Sequence, residues 1–339
     1  MKILVLGSTG YIGTHLMNAL QQATWARPTG ASRTKHGRPS DGADWLALDT
    51  RDGAALARSL KGFEAVVNCV AGDRVSIAQG ARDLAAAAST AGCRRIIHLS
   101  TMSVYGAAEG VVQEDLALSQ PAGWYGDAKR QAEMHMHDFT KNGGEVVVLR
   151  PGCVFGRGSE LWVGRTGRWL EAGRLGDLGV SGDGWSNLVS IDDVCQAVMS
   201  ALKLDVVPGS HPTFNLAAPD SPRWNDYFVD LAVAIGAVPV RRIGSRRLLL
   251  DSLVASPPLK IAELLWRYAG KPSGTLPEPI PPALMKLWGQ QIRLDAQPAT
   301  QELGIAWTSY ADALQCSAAW FSKRGNPDKP SYGEAICAP

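Results

Sequence analysis

The sequence predicts an α/β fold, a doubly wound parallel sheet followed by a smaller C-terminal α/β lobe. Three observations carry that expectation. Lys2-Ile3-Leu4-Val5-Leu6 is a short apolar run that breaks at once into Gly7-Ser8-Thr9-Gly10-Tyr11-Ile12-Gly13, after which Leu16, Met17 and Leu20 recur at helical spacing. Up to residue 150, apolar runs of strand length alternate with helical stretches, the pattern of βαβ units on a sheet covered on both faces. After Pro151 the texture changes to segments rich in Gly, Arg, Trp and later Pro.

Strands are expected near 2–6, 28–32, 45–48, 65–69, 95–99 and 145–149, and helices near 11–22, 52–60, 77–91 and 124–142. In the first turn Gly7 permits the tight bend, Gly10 lets backbone approach an anion, and Gly13 lets the helix pack closely on the strand. The unpaired N–H groups at the helix start then face a pyrophosphate. The glycine spacing is 3+3 rather than the 2+3 of Gly-x-Gly-x-x-Gly. Leu188 to Val194 reads as a strand entering a capped helix, Asp192 to Leu202. Helical pieces follow at 224–236 and 257–268, and Pro277, Pro279, Pro281 and Pro282 punctuate a connection. Arg246-Arg247-Leu248-Leu249-Leu250 suggests a membrane-surface helix, but Asp251 and the prolines beyond make it too short for that reading. The expected division is a dinucleotide-binding unit over 1–150, to which 187–205 returns, a smaller lobe over 151–186 and 206–325, and a loose tail over 326–339.

Composition excludes several classes. The net charge of +2 gives no field that calls for nucleic acid or an anionic membrane. No apolar run reaches the ~20 residues of a membrane span, and the N-terminus carries no basic, cleavable leader. Six cysteines without CxxC or regular spacing read as reduced thiols, which with the missing leader points to the cytoplasm. No group has metal-ligand spacing; His135 and His137 would face different sides of a helix.

Tyr125-Gly126-Asp127-Ala128-Lys129 opens a helical stretch, so phenol and ammonium project from one face. A nearby ammonium favours the phenolate and brings a tyrosine toward acid–base work at neutral pH. The fifth strand ends in Leu99-Ser100-Thr101-Met102-Ser103-Val104-Tyr105-Gly106, placing hydroxyls at the carboxyl edge where open α/β sheets bind ligands.

With these pieces the chain resembles the extended short-chain dehydrogenases/reductases, the NAD-dependent epimerase/dehydratase family of nucleotide-sugar enzymes with a Rossmann domain. Further matching segments are Leu48–Asp52, Val67–Gly72, Arg150–Gly156, Asn187–Val194, Phe214–Leu216 and Glu302–Trp307, in family order over about residues 1–320. The resemblance implies that Tyr125 donates and accepts the proton, that Lys129 tunes it and holds the nicotinamide ribose, and that Thr101 hydrogen-bonds the reacting oxygen, with Ser103 as the fallback. It places the dinucleotide along Gly7, Thr9, Gly10, Tyr11, Ile12, Gly13, Ser32, Arg33, Asp49, Thr50, Val70, Ala71, Gly72, Lys129, Pro151 and Val154. Asp49 would face the adenine, or alternatively cap the helix near Asp52. It also implies a homodimer through the helices near 77–91 and 124–142, although the alanine-rich segment 81–91 would equally suit packing on its own sheet.

An acidic residue at the end of the second strand would bind the ribose 2′-hydroxyl of NAD, yet none lies between Gln21 and Ser40. Ser32, Arg33 and Lys35 or Arg38 suit a 2′-phosphate instead, so NADP(H) is expected, with NAD the alternative. Family dehydratases carry an Asp/Glu pair where this chain has Met102-Ser103, which disfavours that elimination. The expectation is an NADP(H)-preferring reductase of a keto group on a nucleotide-linked (deoxy)sugar. The alternatives are a 4-epimerase with tightly held NAD, a ketoreductase of a non-sugar molecule, and a non-catalytic NADP(H) sensor. Arg157, Arg165, Arg168, Arg174, Arg241, Arg242 and Arg293 are candidate diphosphate clamps, and Trp162, Trp169 and Trp185 candidate stacking surfaces.

Overall fold

The computed structural model describes residues 1–33, 44–118, 123–207, 209–268 and 277–323. Its first half runs β1 (Lys2–Leu6), α1 (Tyr11–Gln22), β2 (Arg27–Ser32), β3 (Asp44–Ala47), α2 (Gly53–Ser59), β4 (Ala65–Asn68), α3 (Arg74–Ala91), β5 (Arg95–Leu99), β6 (Gly110–Val112), α4 (Trp124–Lys141) and β7 (Glu145–Pro151). It continues with β8 (Cys153–Phe155), α5 (Thr166–Glu171), β9 (Leu188–Ser190), α6 (Ile191–Ala201), β10 (Thr213–Leu216), α7 (Trp224–Ala234), α8 (Ser245–Leu250), α9 (Ser256–Tyr268), α10 (Pro282–Trp288), β11 (Ile292–Leu294), α11 (Gln297–Glu302) and α12 (Tyr310–Lys323).

Seven strands form one parallel sheet in the order β10-β7-β5-β4-β1-β2-β3. Strand order reverses at β1, so a crevice opens at the carboxyl ends of β1 and β4. One face is covered through Leu16, Met17 and Leu20 of α1 with Val194 and Val198 of α6. The other is covered through Ile77, Ala81 and Leu84 of α3 with Ala128, Ala132 and Met136 of α4. The small residues of 81–91 thus pack on their own sheet: Ala81, Ala87 and Ala88 are buried there.

The seventh strand, β10, falls inside the span expected for the smaller lobe. Four residues are too few to announce a strand by pattern, but Phe214 and Leu216 are buried and pair with β7. Ala299, Leu303 and Ile305 also join a core of the sheet. Two caps differ from expectation. Asp52 accepts from Ala55 N at 2.9 Å and starts α2, whereas Asp49 turns to Arg51. Ser190, not Asp192, caps α6, accepting from Asp192 N at 3.2 Å.

The rest of the chain builds a second core around Trp169, Trp224, Tyr227, Phe228 and Trp288. Asn187, at φ +46°, joins this part together by accepting from Leu294 N at 2.8 Å and donating to Ile292 O at 2.8 Å. Cys69, Cys93, Cys153, Cys195 and Cys316 are free thiols, and Cys337 lies outside the described residues, as does the tail 326–339. Among the described residues no helix is long and apolar enough to cross a membrane, and no cluster has the makings of a metal site.

Candidate functional site

The turn after β1 is shaped by close approach. Gly7 holds φ +74°, and a Cβ on Gly13 would sit 2.2 Å from Gly7 O. Gly7 N and Ser8 N donate to Ala31 O at 3.0 and 3.2 Å, pinning the turn to β2. Gly10 is the N-cap of α1 and supplies no side-chain acceptor, so the helix presents bare N–H groups at the crevice. That cradle, open to an anion and closed to any Cβ at Gly13, fits a dinucleotide pyrophosphate. Thr9 and Ile12 are half-buried around it. The Tyr11 ring is packed away, 5.3 Å from the His15 ring and beside Gly158, which leaves its backbone for the cradle.

At the end of β2, Ser32 Oγ accepts from Trp45 Nε1 at 3.1 Å, and Arg33 is exposed. Asp49 meets Arg51 at 2.7 Å; this hydrogen bond, with Arg33 adding a weaker pull, holds its carboxyl at about 2. Thr50 packs on α3, where a Cβ at Gly80 would lie 2.9 Å from its Oγ1. Val70, Ala71 and Gly72 follow β4 and are half-buried, Pro151 ends β7, and Val154 is buried in β8. Lys35 and Arg38 lie outside the described residues.

Tyr125 and Lys129 stand one turn apart on α4. Lys129 is buried, and its Nζ donates to Leu99 O at 2.7 Å and Val70 O at 3.0 Å, at the carboxyl ends of β5 and β4. Thr101 is buried two residues beyond Leu99; its Oγ1 accepts from Ser103 N at 3.2 Å and lies 3.3 Å from Ser103 Oγ. Tyr125 is half-buried against the α3–α4 core, its ring 5.8 Å from that of Trp124. Phenol, ammonium and hydroxyls thus belong to elements that meet at the sheet edge where the glycine cradle opens. Such a set can exchange a proton with a carbinol or carbonyl oxygen.

Two groups the sequence reading passed over flank this cluster. His98 on β5 is buried and its Nδ1 lies 3.2 Å from Asn68 Nδ2. Burial, reinforced by the Lys129 charge, holds the imidazole well below its ordinary value. A histidine lowered in the fold stabilises it above the unfolded value near 6.5, and that contribution is lost as pH falls from there toward the folded value. Urea unfolding should therefore weaken below about pH 6.5 by up to about 1.4 kcal/mol per pH unit from His98 alone. His98→Asn should flatten that slope; an unchanged slope would contradict the assignment.

The second group is Glu133, next on the Tyr125–Lys129 stripe at the same four-residue spacing. It takes Arg150 in a two-pronged pair, Nε to Oε1 at 3.0 Å and Nη2 to Oε2 at 2.7 Å, and accepts from Ser100 Oγ. Arg150 Nη1 also donates to Tyr105 Oη at 2.9 Å and Glu114 O at 3.0 Å, and Tyr105 Oη donates to Asn215 Oδ1 at 2.7 Å. This buried network ties α4, β7 and β10 beneath the site. The four-residue spacing was the available signal.

Most candidate clamps in the smaller lobe have structural partners. Arg165 and Arg168 meet Glu278, Arg174 meets Asp251, Arg157 meets Asp192, and Arg242 lies 3.9 Å from Asp177. Arg241 is exposed beside Gly173. Trp169 is core, and Trp162 packs 5.3 Å from Trp224. Trp185 differs: the guanidiniums of Arg223 and Arg293 each stand 4.6 Å from its ring. A cavity of about 380 Å³ lined by Leu170, Ala232 and Arg241 among others shares no residue with the site at the sheet edge.

A doubly wound parallel sheet with a glycine cradle at its first turn and a hydroxyl–phenol–ammonium set at its carboxyl edge is the architecture of dinucleotide-binding α/β folds. Residues 3–217 match the NAD dependent epimerase/dehydratase family, and the chain belongs to it. It is 24% identical over 215 residues to the N-acetyl-alpha-D-glucosaminyl-diphospho-ditrans,octacis-undecaprenol 4-epimerase of Escherichia coli O157:H7, covering 60% of this chain and 63% of the relative, under two thirds of its length. Its fold is that of the UDP-glucuronic acid 4-epimerase from Bacillus cereus in complex with UDP-glucuronic acid and NAD, at TM-score 0.71 and 20% identity over 96% of this chain and 100% of the other. The dTDP-glucose 4,6-dehydratase from Streptomyces venezuelae with NAD bound gives 0.71 and 21%, over 96% and 98%.

Proposed function

We propose that this chain is a 4-epimerase acting on a sugar whose C1 carries a diphosphate. The observation that carries the reading is the Tyr125–Lys129 turn of α4, with Lys129 Nζ 2.7 Å from the carbonyl of Leu99 on the strand that leads into Thr101. Tyr125 takes the proton of the sugar hydroxyl and returns it to the oxygen of the opposite epimer. Thr101 Oγ1 hydrogen-bonds that oxygen, and Ser103 Oγ is close enough to Thr101 to share the task. Lys129 stabilises the phenolate of Tyr125. Bound nicotinamide dinucleotide supplies the acceptor and donor of hydride. The backbone of Gly7, Thr9, Gly10, Tyr11, Ile12 and Gly13 would hold its pyrophosphate, Ser32 and Arg33 the adenosine ribose, Asp49 and Thr50 the adenine. Val70, Ala71, Gly72, Pro151 and Val154 would line the nicotinamide end.

The relatives support this reading by what their names state: two are 4-epimerases, and the structures hold NAD. The missing carboxylates at Met102 and Ser103 weigh against the dehydratase. The relatives' sugars share a diphosphate whose far side is a uridine in one and a polyprenol in another. Arg293 beside Trp185 is the candidate for that diphosphate, since Arg223 already pairs with Asp183. As a homodimer, the chain would pair through the outer faces of α3 and α4.

A second reading, an NADP(H)-dependent keto-sugar reductase, is favoured by Arg33 alone, exposed at the end of a β2 that carries no carboxylate. Denaturing the purified protein and weighing the released nucleotide separates the two. Near-stoichiometric NAD, with inversion of the sugar and no net consumption of nucleotide, is expected. Exchangeable NADP(H) with stoichiometric NADPH oxidation would overturn the epimerase and leave the reductase.

A further inference from the structure

The segment over 245–268 is not the short helix its sequence suggests. α8 continues through a wider turn over Asp251–Ala255, in which Ser256 N donates to Asp251 O, into α9, and Pro257 and Pro258 follow directly where that turn has already interrupted the i→i−4 ladder. Helical backbone therefore runs unbroken for 24 residues, long enough to present a continuous face.

That face is divided sharply. Leu248, Ser252 and Ser256 are buried at four-residue spacing, and Ser256 Oγ accepts from Ile280 N at 2.8 Å. Asp251 is held by Arg174, its Oδ2 3.0 Å from Nε. The helix is thus fixed to the smaller lobe along one side. On the other, Leu250, Leu253, Val254, Ile261 and Leu265 expose between 55% and 65% of their surface, and Tyr268 95%. Isolated exposed leucines need no explanation, but a row of aliphatic side chains on a single helical face does.

Charge indicates what the face meets. Residues 241–268 contain six basic side chains, Arg241, Arg242, Arg246, Arg247, Lys260 and Arg267, and two acidic, Glu263 and the Asp251 already paired with Arg174. Arg241, Arg242, Arg246 and Arg247 are exposed and gather at the N-terminal end of the apolar row. An aliphatic face bordered by a guanidinium cluster matches a lipid surface with anionic headgroups, in which apolar side chains enter the acyl boundary and the basic ones stay at phosphate depth.

We propose that 245–268 docks this protein in the plane of an anionic lipid bilayer. Of the two carriers compatible with the proposed diphosphate substrate, the polyprenol would lie in such a surface. The choice of carrier rests on the proposed function, whereas the docking does not, because vesicle binding is read without turnover.

The full chain should sediment with vesicles of phosphatidylcholine and phosphatidylglycerol at low salt and remain in solution with phosphatidylcholine alone. Leu250→Glu with Leu265→Glu should abolish binding, and Arg246→Gln with Arg247→Gln should weaken it on the order of thirty-fold. Both variants should keep the thermal unfolding profile and nucleotide content of the parent, since the changed side chains are exposed. No binding to the mixed vesicles by the parent would overturn the proposal. So would a concentration-dependent dimer by light scattering that the Leu250/Leu265 variant dissolves while vesicles bind neither protein, which would make a second copy the occupant.

Discussion

Replacing Tyr125 by Phe should lower turnover by about 10²- to 10⁴-fold, the usual loss when a positioned acid–base group is removed. The ring is half-buried against the α3–α4 core, and Phe preserves that packing, so stability should change little. Lys129, fixed on two backbone carbonyls, should stay in place. Nucleotide content after purification should match the parent, because the glycine cradle lies on another element. Turnover within threefold of the parent would remove Tyr125 from the chemistry. Equal loss of nucleotide and turnover would mean that the residue shapes the cofactor site instead.

Replacing Arg150 by Met should have the largest effect on stability, about 3–5 kcal/mol, because it leaves the Glu133 carboxylate buried without its partner. Side-chain exposures of 7% and 11% show how little water reaches the pair. Urea unfolding measures the loss. Arg150→Met combined with Glu133→Leu should recover much of it, since no uncompensated charge remains and neighbouring sites are non-additive. If the double variant were as unstable as the single, the hydrogen bonds to Tyr105 and Glu114 O would matter more than the ion pair.

The sheet and the cradle were legible because each rests on local rules. An apolar run that breaks at glycine reports a buried strand and a turn whatever the rest of the chain does, as at β1, and the other five expected sheet strands follow from strand-length runs alternating with helical stretches. β10 does not, since four residues carry too little periodicity and its burial is conferred by β7, distant in sequence. The same division holds at the site. Tyr125 and Lys129 share one helical turn and could be paired by counting, whereas Lys129 reaches the Leu99 and Val70 carbonyls only through strand order. Glu133 completed a visible four-residue spacing, but its partners are Ser100, just past β5, and Arg150 on β7. The arginines of the smaller lobe were legible as charges and not as ion pairs: Glu278 and Asp251 lie far from Arg168 and Arg174 in sequence. The length of 245–268 is not legible in the sequence because Pro257 and Pro258 read as helix breakers, whereas the wider turn over Asp251–Ala255 carries the helical backbone past them.

The position of β10 bears on how this chain can be cut. β7 is a seven-residue strand buried along its whole interior, and β10 is what occupies its outer margin. A fragment ending near residue 150 would leave the hydrogen-bonding groups of β7 unpaired from Val148 through Arg150, an apolar template open to any other chain. Such a truncation should accumulate as aggregate rather than as a smaller nucleotide-binding protein. The two halves are therefore not interchangeable modules: the later one seals the earlier, and shuffling at that junction would have to carry the sealing strand with it.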